Sequence, residues 1–252
     1  MRLTDISWPK AKEYFESSDM VIIGIGCIEN HGRHNVLGVD TLIPEYLLTL
    51  IEEKSDVLIA PTIPYGSTDD YVCFPGSVSL GDELMFNLLK KISMDLFSHG
   101  ARKFVFLNGH GGNVNALTRT CVELSKVGGL GAIFNWWVIA GEINPEWRGG
   151  HGSGQETAAM LAIDPKLVNL DAIAGMELKN DVGEGLPTAG FDRVKFKGVS
   201  VPMPRMCERY VGNGWIGDDP PETATEEWGK EMLAATADFI VEFMEEFKKA
   251  EL

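Results

Sequence analysis

The residues best suited to chemistry lie in Gly26-Cys27-Ile28-Glu29-Asn30-His31-Gly32-Arg33-His34-Asn35-Val36-Leu37-Gly38-Val39-Asp40, directly after the apolar run Met20 to Ile25. Residues two apart on an extended chain point to one side, so Glu29 and His31 would present a carboxylate and an imidazole together. Asp40 comes at the end of a glycine-bearing loop, just before an apolar-periodic segment whose helix N-terminus would hold it in place. Taken alone, the trio also suits a salt-bridged carboxylate, a hydrogen-bonded loop histidine and an N-cap. A second stretch, Phe104-Val105-Phe106-Leu107-Asn108-Gly109-His110-Gly111-Gly112-Asn113, argues for more, because another apolar run leads into glycines flanking a histidine. In open α/β sheets functional groups gather at the carboxyl ends of strands, so both loops are expected at one site.

A third segment, His151-Gly152-Ser153-Gly154-Gln155-Glu156-Thr157, puts a histidine in a glycine loop and a carboxylate in the first turn of the next helix. A helix dipole favours glutamate there in any case. Joined to Glu29, His31, Asp40 and His110, however, Glu156 makes a fifth donor of carboxylate or imidazole type, which suits two divalent ions sharing one carboxylate, zinc or manganese. Such a pair would lower the pKa of a bridging water and polarise a carbonyl, supplying a hydroxide nucleophile without serine or cysteine. His151 would then donate a proton to the leaving nitrogen. His34 lies within the first motif as a supporting or substrate-side residue, whereas His99, before Gly100, reads as a helix-end partner.

The elements around these motifs alternate. The sequence predicts a helix from Ser7-Trp8-Pro9 to Ser17, a strand over 20–26, a helix from Thr41 to Lys54 and a strand from Val57 to Ala60. Pro61-Thr62-Ile63-Pro64-Tyr65-Gly66 reads as a loop that overhangs the site, with Tyr65 a substrate-side candidate. Helices over Asp82–Ser98, Asn113–Lys126 and Gln155–Ile163 and strands over Lys103–Leu107 and Gly131–Trp137 follow, with a loop from Gly141 to Gly154. Residues 181–219 read as one long loop packed over something. Thr223-Ala224-Thr225-Glu226 reads as a capping box that starts a closing helix with Trp228, Met232, Ala235, Phe239, Phe243 and Phe247 as its apolar stripe. Strand and helix in alternation imply one α/β domain over 1–252, with a mainly parallel sheet covered on both faces.

Composition excludes several classes. A formal net charge of −15 argues against nucleic acid or an anionic membrane as partner. Four cysteines lie far apart with no C-x-x-C pair, so reduced thiols are expected and zinc ribbons are not. No apolar run approaches the ~20 residues of a membrane span and Met1 to Asp5 lack a signal-peptide core, which suits a cytoplasmic protein. Gly24-Ile25-Gly26 starts a G-x-G-x-x-G pattern, but Glu29 stands where the third glycine belongs and would repel a pyrophosphate. No Walker A or G-x-S-x-G motif is present.

The motifs resemble those of the creatininase family, the creatinine amidohydrolase-like metal hydrolases, over almost the whole chain. Glu29-Asn30-His31-Gly32-Arg33-His34 through Asp40 is similar to the family's E-x-H-G-x-H segment and its aspartate, and Asn108 to Asn113 to its N-G-H-G-G-N segment. Pro61 to Gly66, Phe74-Pro75-Gly76-Ser77, His151 through Thr157, and Gly214 to Pro220 resemble further family segments. The resemblance implies a three-layer α/β/α sandwich, a homo-oligomer, often a hexamer, and a dinuclear site. Glu29 and His110 would hold one ion, His31 the other, and Asp40 would bridge them. In creatinine-hydrolysing members a glutamate follows the second-motif histidine by two residues; here that position is Gly112, and Glu156 is the expected replacement. Asp69-Asp70-Tyr71 departs from the family where a histidine is common. Trp147 is similar to the tryptophan that stacks on creatinine.

The expected function is therefore hydrolysis of a C–N bond, in a cyclic amide or a related small polar substrate, by a hydroxide held between two ions. Opening of a cyclic ketone, such as an inositol-derived diketone, by the same hydroxide is the alternative enzyme. A non-catalytic metal-binding domain on this fold is the alternative of another class.

Overall fold

The computed structural model describes residues 1–251 and has at its centre four strands, Met20–Ile25 (β1), Leu58–Ile63 (β2), Lys103–Asn108 (β3) and Leu130–Asn135 (β4). They run parallel in the order β2-β1-β3-β4. The two inner strands, β1 and β3, bury every residue, which is why they read as apolar runs, with polar side chains only at the ends of β3, Lys103 and Asn108. Among the described residues seven α-helices surround them: Trp8–Ser17 (α1), Val39–Glu52 (α2), Gly81–Ser98 (α3), Val114–Lys126 (α4), Trp136–Ile143 (α5), Gly154–Ile163 (α6) and Glu226–Phe247 (α7).

Alternation along each strand divides the core in two. Met20, Ile22, Val105 and Leu107 pack against Ile43 and Leu47 of α2, Met160 of α6 and Ile240 of α7. On the opposite face Val21, Ile23, Phe104 and Phe106 meet Met85 and Leu89 of α3 and Leu117 and Leu124 of α4. The result is a three-layer α/β/α sandwich. Because Ile25 pairs with Asn108, the loops that follow β1 and β3 leave the sheet side by side.

Several boundaries differ from those the sequence predicts. β2 runs through Pro61 to Ile63 rather than stopping at Ala60. It is an edge strand, where a missing N–H costs no ladder bond, and its pairing with β1 shifts register between Ile23 and Ile25. β4 ends at Asn135 and α5 begins at once, with Trp136 and Ala140 buried one helical turn apart, where a strand and then a loop were expected. Within residues 181–219, Arg193–Phe196 (β5) and Val199–Pro202 (β6) form an antiparallel hairpin turned by Lys197 and Gly198, both at positive φ. The cap of α7 is Thr225, whose side chain accepts from the Trp228 N–H, while Thr223 belongs to the preceding 3-10 turn. The buried face of α7 is Gly229, Met232, Leu233, Thr236, Ala237, Ile240 and Met244, which leaves Phe239 exposed.

Two close approaches need glycine. A Cβ on Gly109 would lie 1.9 Å from the Asp40 carbonyl oxygen, and one on Gly229 would lie 1.9 Å from the Ala158 carbonyl oxygen. Pro44, inside α2, has no N–H to offer the Asp40 carbonyl, which is the group that Gly109 approaches. The thiols of Cys73 and Cys207 lie 3.4 Å apart, in hydrogen-bond contact and without a disulfide. Among the described residues no helix is long and apolar enough to cross a membrane.

Candidate functional site

The β1 loop is fixed by backbone bonds before it presents any side chain. Glu29 N donates to Leu37 O at 3.0 Å, Gly32 N to Gly214 O at 3.1 Å, and the Asn30 side chain to Gly214 O at 3.0 Å. Gly109 N donates to Ile25 O at 2.7 Å, which ties the β3 loop to the end of β1. Asp40 lies in the first turn of α2 and is buried. The N-cap is Gly38, so the bland reading of Asp40 as a cap does not hold.

Three imidazoles converge here, and each has one ring nitrogen against a backbone carbonyl. His31 Nδ1 faces Glu29 O at 3.1 Å, His110 Nε2 faces Ser67 O at 2.9 Å, and His151 Nε2 faces Asn30 O at 2.6 Å. A carbonyl only accepts, so those nitrogens carry the hydrogen and the other nitrogen of each ring is turned toward the carboxylates. His31 Nε2 lies 3.0 Å from Asp40 Oδ1 and 3.6 Å from Glu156 Oε2. His110 Nδ1 lies 3.1 Å from Asp40 Oδ2 and 3.3 Å from Glu29 Oε1. His151 Nδ1 lies 3.4 Å from Glu29 Oε1. Asp40 thus has one oxygen toward His31 and the other toward His110.

This donor set fits divalent metal. Glu29 Oε1 and Asp40 Oδ2 are buried without an aligned hydrogen bond, although His110 Nδ1 lies nearby, and buried carboxylate oxygens left in this way call for a cation. Backbone carbonyls orienting the far ring nitrogens are the usual support of metal-binding imidazoles. Donor atoms fall into groups that could each hold an ion, among them Cys27, Glu29, Asp40 and His110, and His31, Asp40 and Glu156. Cys27 was not among the expected donors; its place two residues before Glu29 was the available signal. Burial keeps that thiol well above its ordinary range. A Cβ on Gly112 would lie 2.0 Å from the Ser67 carbonyl oxygen, so a side chain there would require the Ser67 backbone to move. Glu156, held by the Gly152 N–H at 2.6 Å, stands with His31 and Asp40.

Charge explains the protonation pattern. Burial alone would lower His31, but Asp40 and Glu156 outweigh it and raise it to about 10. Burial also opposes charge on His110, yet Glu29 and Asp40 raise it well above the ordinary value. Burial would raise the Asp40 carboxyl, but His31 and His110 hold it below the usual range. Glu156 is pushed up to about 7 by burial, against the pull of His31. His151 is lowered to about 4, by burial and then by the neighbouring His31.

A cavity of about 840 Å³ opens onto Glu29, Asp40, His110, His151 and Glu156. Asp70, Tyr71, Trp137 and Phe191 also line it. His151 stacks on His31 at 4.2 Å, with the Tyr71 ring beyond it at 4.7 Å. The three expected substrate-side residues do not line the cavity. Trp147 packs against the core and its carbonyl accepts from Gln155, Tyr65 is exposed on its loop, and His34 is buried against the Thr157 hydroxyl at 3.1 Å. Trp137 and Tyr71 line it instead. Trp137 was hidden by the strand expected over 131–137, and Tyr71 by a loop without periodicity.

Comparison with known proteins gives consistent matches. The family model described as creatinine amidohydrolase matches residues 4–244. A mycofactocin precursor peptide peptidase of Mycolicibacterium smegmatis is 31% identical over 225 residues, covering 85% of this chain and 80% of the relative. A creatinine amidohydrolase of Pseudomonas putida is 28% identical over 192 residues, covering 67% of this chain and 74% of the relative. Among solved structures, a mutant creatininase of Zn-Zn type superposes with a TM-score of 0.75 at 24% identity, covering 99% of this chain and 98% of that one, a likeness of fold.

Proposed function

The chain belongs to the creatininase family of hydrolases, and from that premise we propose that it binds two divalent ions, zinc or manganese, and hydrolyses a C–N bond in a small polar amide, cyclic rather than peptide. The observation that carries this reading is Asp40, buried at the meeting point of two donor groups with one oxygen turned to each. Glu29 and His110 complete one group, and His31 and Glu156 the other. Bound ions would supply a lowered pKa for water and Lewis-acid polarisation of the amide carbonyl.

The chain's own residues do the remainder. His151 is neutral near pH 7, its Nε2–H is engaged by the Asn30 carbonyl, and its Nδ1 faces the carboxylate cluster. It can therefore take a proton at Nδ1 from the attacking water and return it to the leaving nitrogen. Tyr71 and Phe191 flank the exposed face of that ring and limit water around it.

The test begins with elemental analysis of protein loaded with zinc or manganese, where close to two ions per chain are expected. Asp40→Ala should lose both; retention of both would overturn the shared role of Asp40. The loaded protein is then offered lactams, hydantoins and formamides beside short peptides and cyclic polyol ketones. Turnover of the first group supports the reading, and turnover of peptides or ketones alone overturns the substrate class.

A further inference from the structure

Three buried polar atoms on residues lining the cavity have no hydrogen-bond partner among the described residues: Glu29 Oε1, Asp40 Oδ2 and the Tyr71 hydroxyl. The first two are carboxylate oxygens, which a cation answers. The third is the one of the set that can donate, and a cation bound by carboxylates does not satisfy a donor.

Tyr71 is only 3% exposed and is held from several directions. Its N–H donates to Thr68 O at 3.0 Å and its carbonyl accepts from Phe74 N at 3.1 Å. Thr68 donates its hydroxyl to Glu29 Oε2, which joins this loop directly to the donor cluster. On the other side Asp70 O accepts from Cys207 N at 3.1 Å. The ring packs in a three-ring cluster with His151, at 4.7 Å, and Phe191, at 6.1 Å, which also touch each other at 5.3 Å. A phenol held this firmly beside a proton-transfer residue, yet left without a partner, is placed for something that enters the cavity.

We propose that the Tyr71 hydroxyl is a catalytic residue, donating a hydrogen bond to the oxygen of the substrate's amide carbonyl and to the oxyanion that oxygen becomes when water adds. The inference rests on the amide-hydrolase reading of this site. A fixed donor aimed at developing negative charge stabilises the transition state more than the ground state, because it does not have to reorient as the charge forms. Burial, and after it the negative charge of Glu29, keep the phenol well above its ordinary pKa. The group is therefore a donor throughout and does not act as a base.

Tyr71→Phe removes one oxygen and keeps the ring against His151 and Phe191. With metal-loaded protein and the best amide substrate, kcat should fall by about 10²–10³-fold, the range for loss of one oxyanion donor, with KM and metal content nearly unchanged. Binding of acetohydroxamate, whose carbonyl oxygen stands in for the substrate's, should weaken about tenfold, as for loss of one hydrogen bond. Equal kcat and equal hydroxamate affinity in the two proteins would overturn the proposal. So would loss of metal from the variant, or failure of loaded wild type to bind acetohydroxamate. If wild type hydrolyses no amide while hydroxamate binding still depends on the Tyr71 oxygen, the amide reading fails and the donor role stands.

Discussion

His31, His110 and His151 look alike in sequence, each a histidine beside glycine, yet their surroundings give them different duties. Two are set between carboxylates that favour the charged ring, in the groups proposed to hold the ions. His151 faces Glu29 at 3.4 Å but is stacked on His31, so burial and a like charge keep it neutral. His151→Ala should therefore lower kcat by about 10²–10⁴-fold, the usual contribution of general acid–base assistance, while the metal content of the loaded protein stays at the wild-type level. Glu29, His31 and His151 also form a donor group of their own, so the measurement discriminates. Loss of an ion from the variant would make His151 a ligand, and unchanged kcat would make it a loop residue. The convergence of Glu29, His31, Asp40, His110 and Glu156 was legible because spacing and glycine context survive in one dimension. Cys27, Trp137 and Tyr71 were not, since only the folded loop brings Tyr71 to His151 and only the start of α5 turns Trp137 to the cavity.

At the scale of elements, the layers were readable wherever burial is one-sided or complete. β1 and the Phe104–Leu107 centre of β3 carry no polar side chain and α3 carries a clear stripe, so their limits fall within a residue of those expected. β2 was cut short because proline ends a central strand, and only sheet order shows that this strand is at an edge. The run from Trp136 through Ala140 is apolar in a way that suits strand or helix alike, which is why α5 was missed. The site also depends on a contact between helices that no motif announces. α6 carries Glu156 and is packed on α7 so closely that Gly229 of α7 faces the backbone of Ala158. Alanine is the better helix former, by roughly 0.5–1 kcal/mol. The obstacle to its Cβ is a backbone carbonyl, however, and overpacking typically costs about 1–3 kcal/mol, so the steric effect wins. Gly229→Ala should lower Tm by several degrees, at about 2–4 °C per kcal/mol for a chain of this size. Calorimetry of loaded protein checks it, and an unchanged or higher Tm would mean that α7 can slide away from α6 without penalty.

For the molecule as a whole, the cluster sets a stability that depends on both metal and pH. Glu29, Asp40 and Glu156 are buried together, and in metal-free protein the protons on His31 and His110 are the charges that offset them. His31 has a raised pKa in the folded state, about 10 against an ordinary 6.5. A group raised on folding contributes stability that is complete below its unfolded pKa and is lost as pH rises through the folded one. The chelated protein should therefore lose stability between about pH 6.5 and 10. The loaded protein, with cations in place of those protons, should lose much less. Self-repulsion from the net charge of −15 also grows with pH, but it acts on both forms and cancels in their difference. Ligand binding to the folded state alone adds about 2.7 kcal/mol at a free metal concentration a hundredfold above Kd, so loaded protein should melt higher at every pH. The decisive quantity is the gap in Tm between loaded and chelated protein, measured at pH 6, 8 and 9.5. It should widen toward alkaline pH, because metal competes there with fewer protons and replaces a charge that the metal-free cluster has lost. A gap that stays constant or narrows would show that metal displaces no protons from the cluster over this range, and that the buried imidazoles are not protonated in the metal-free protein.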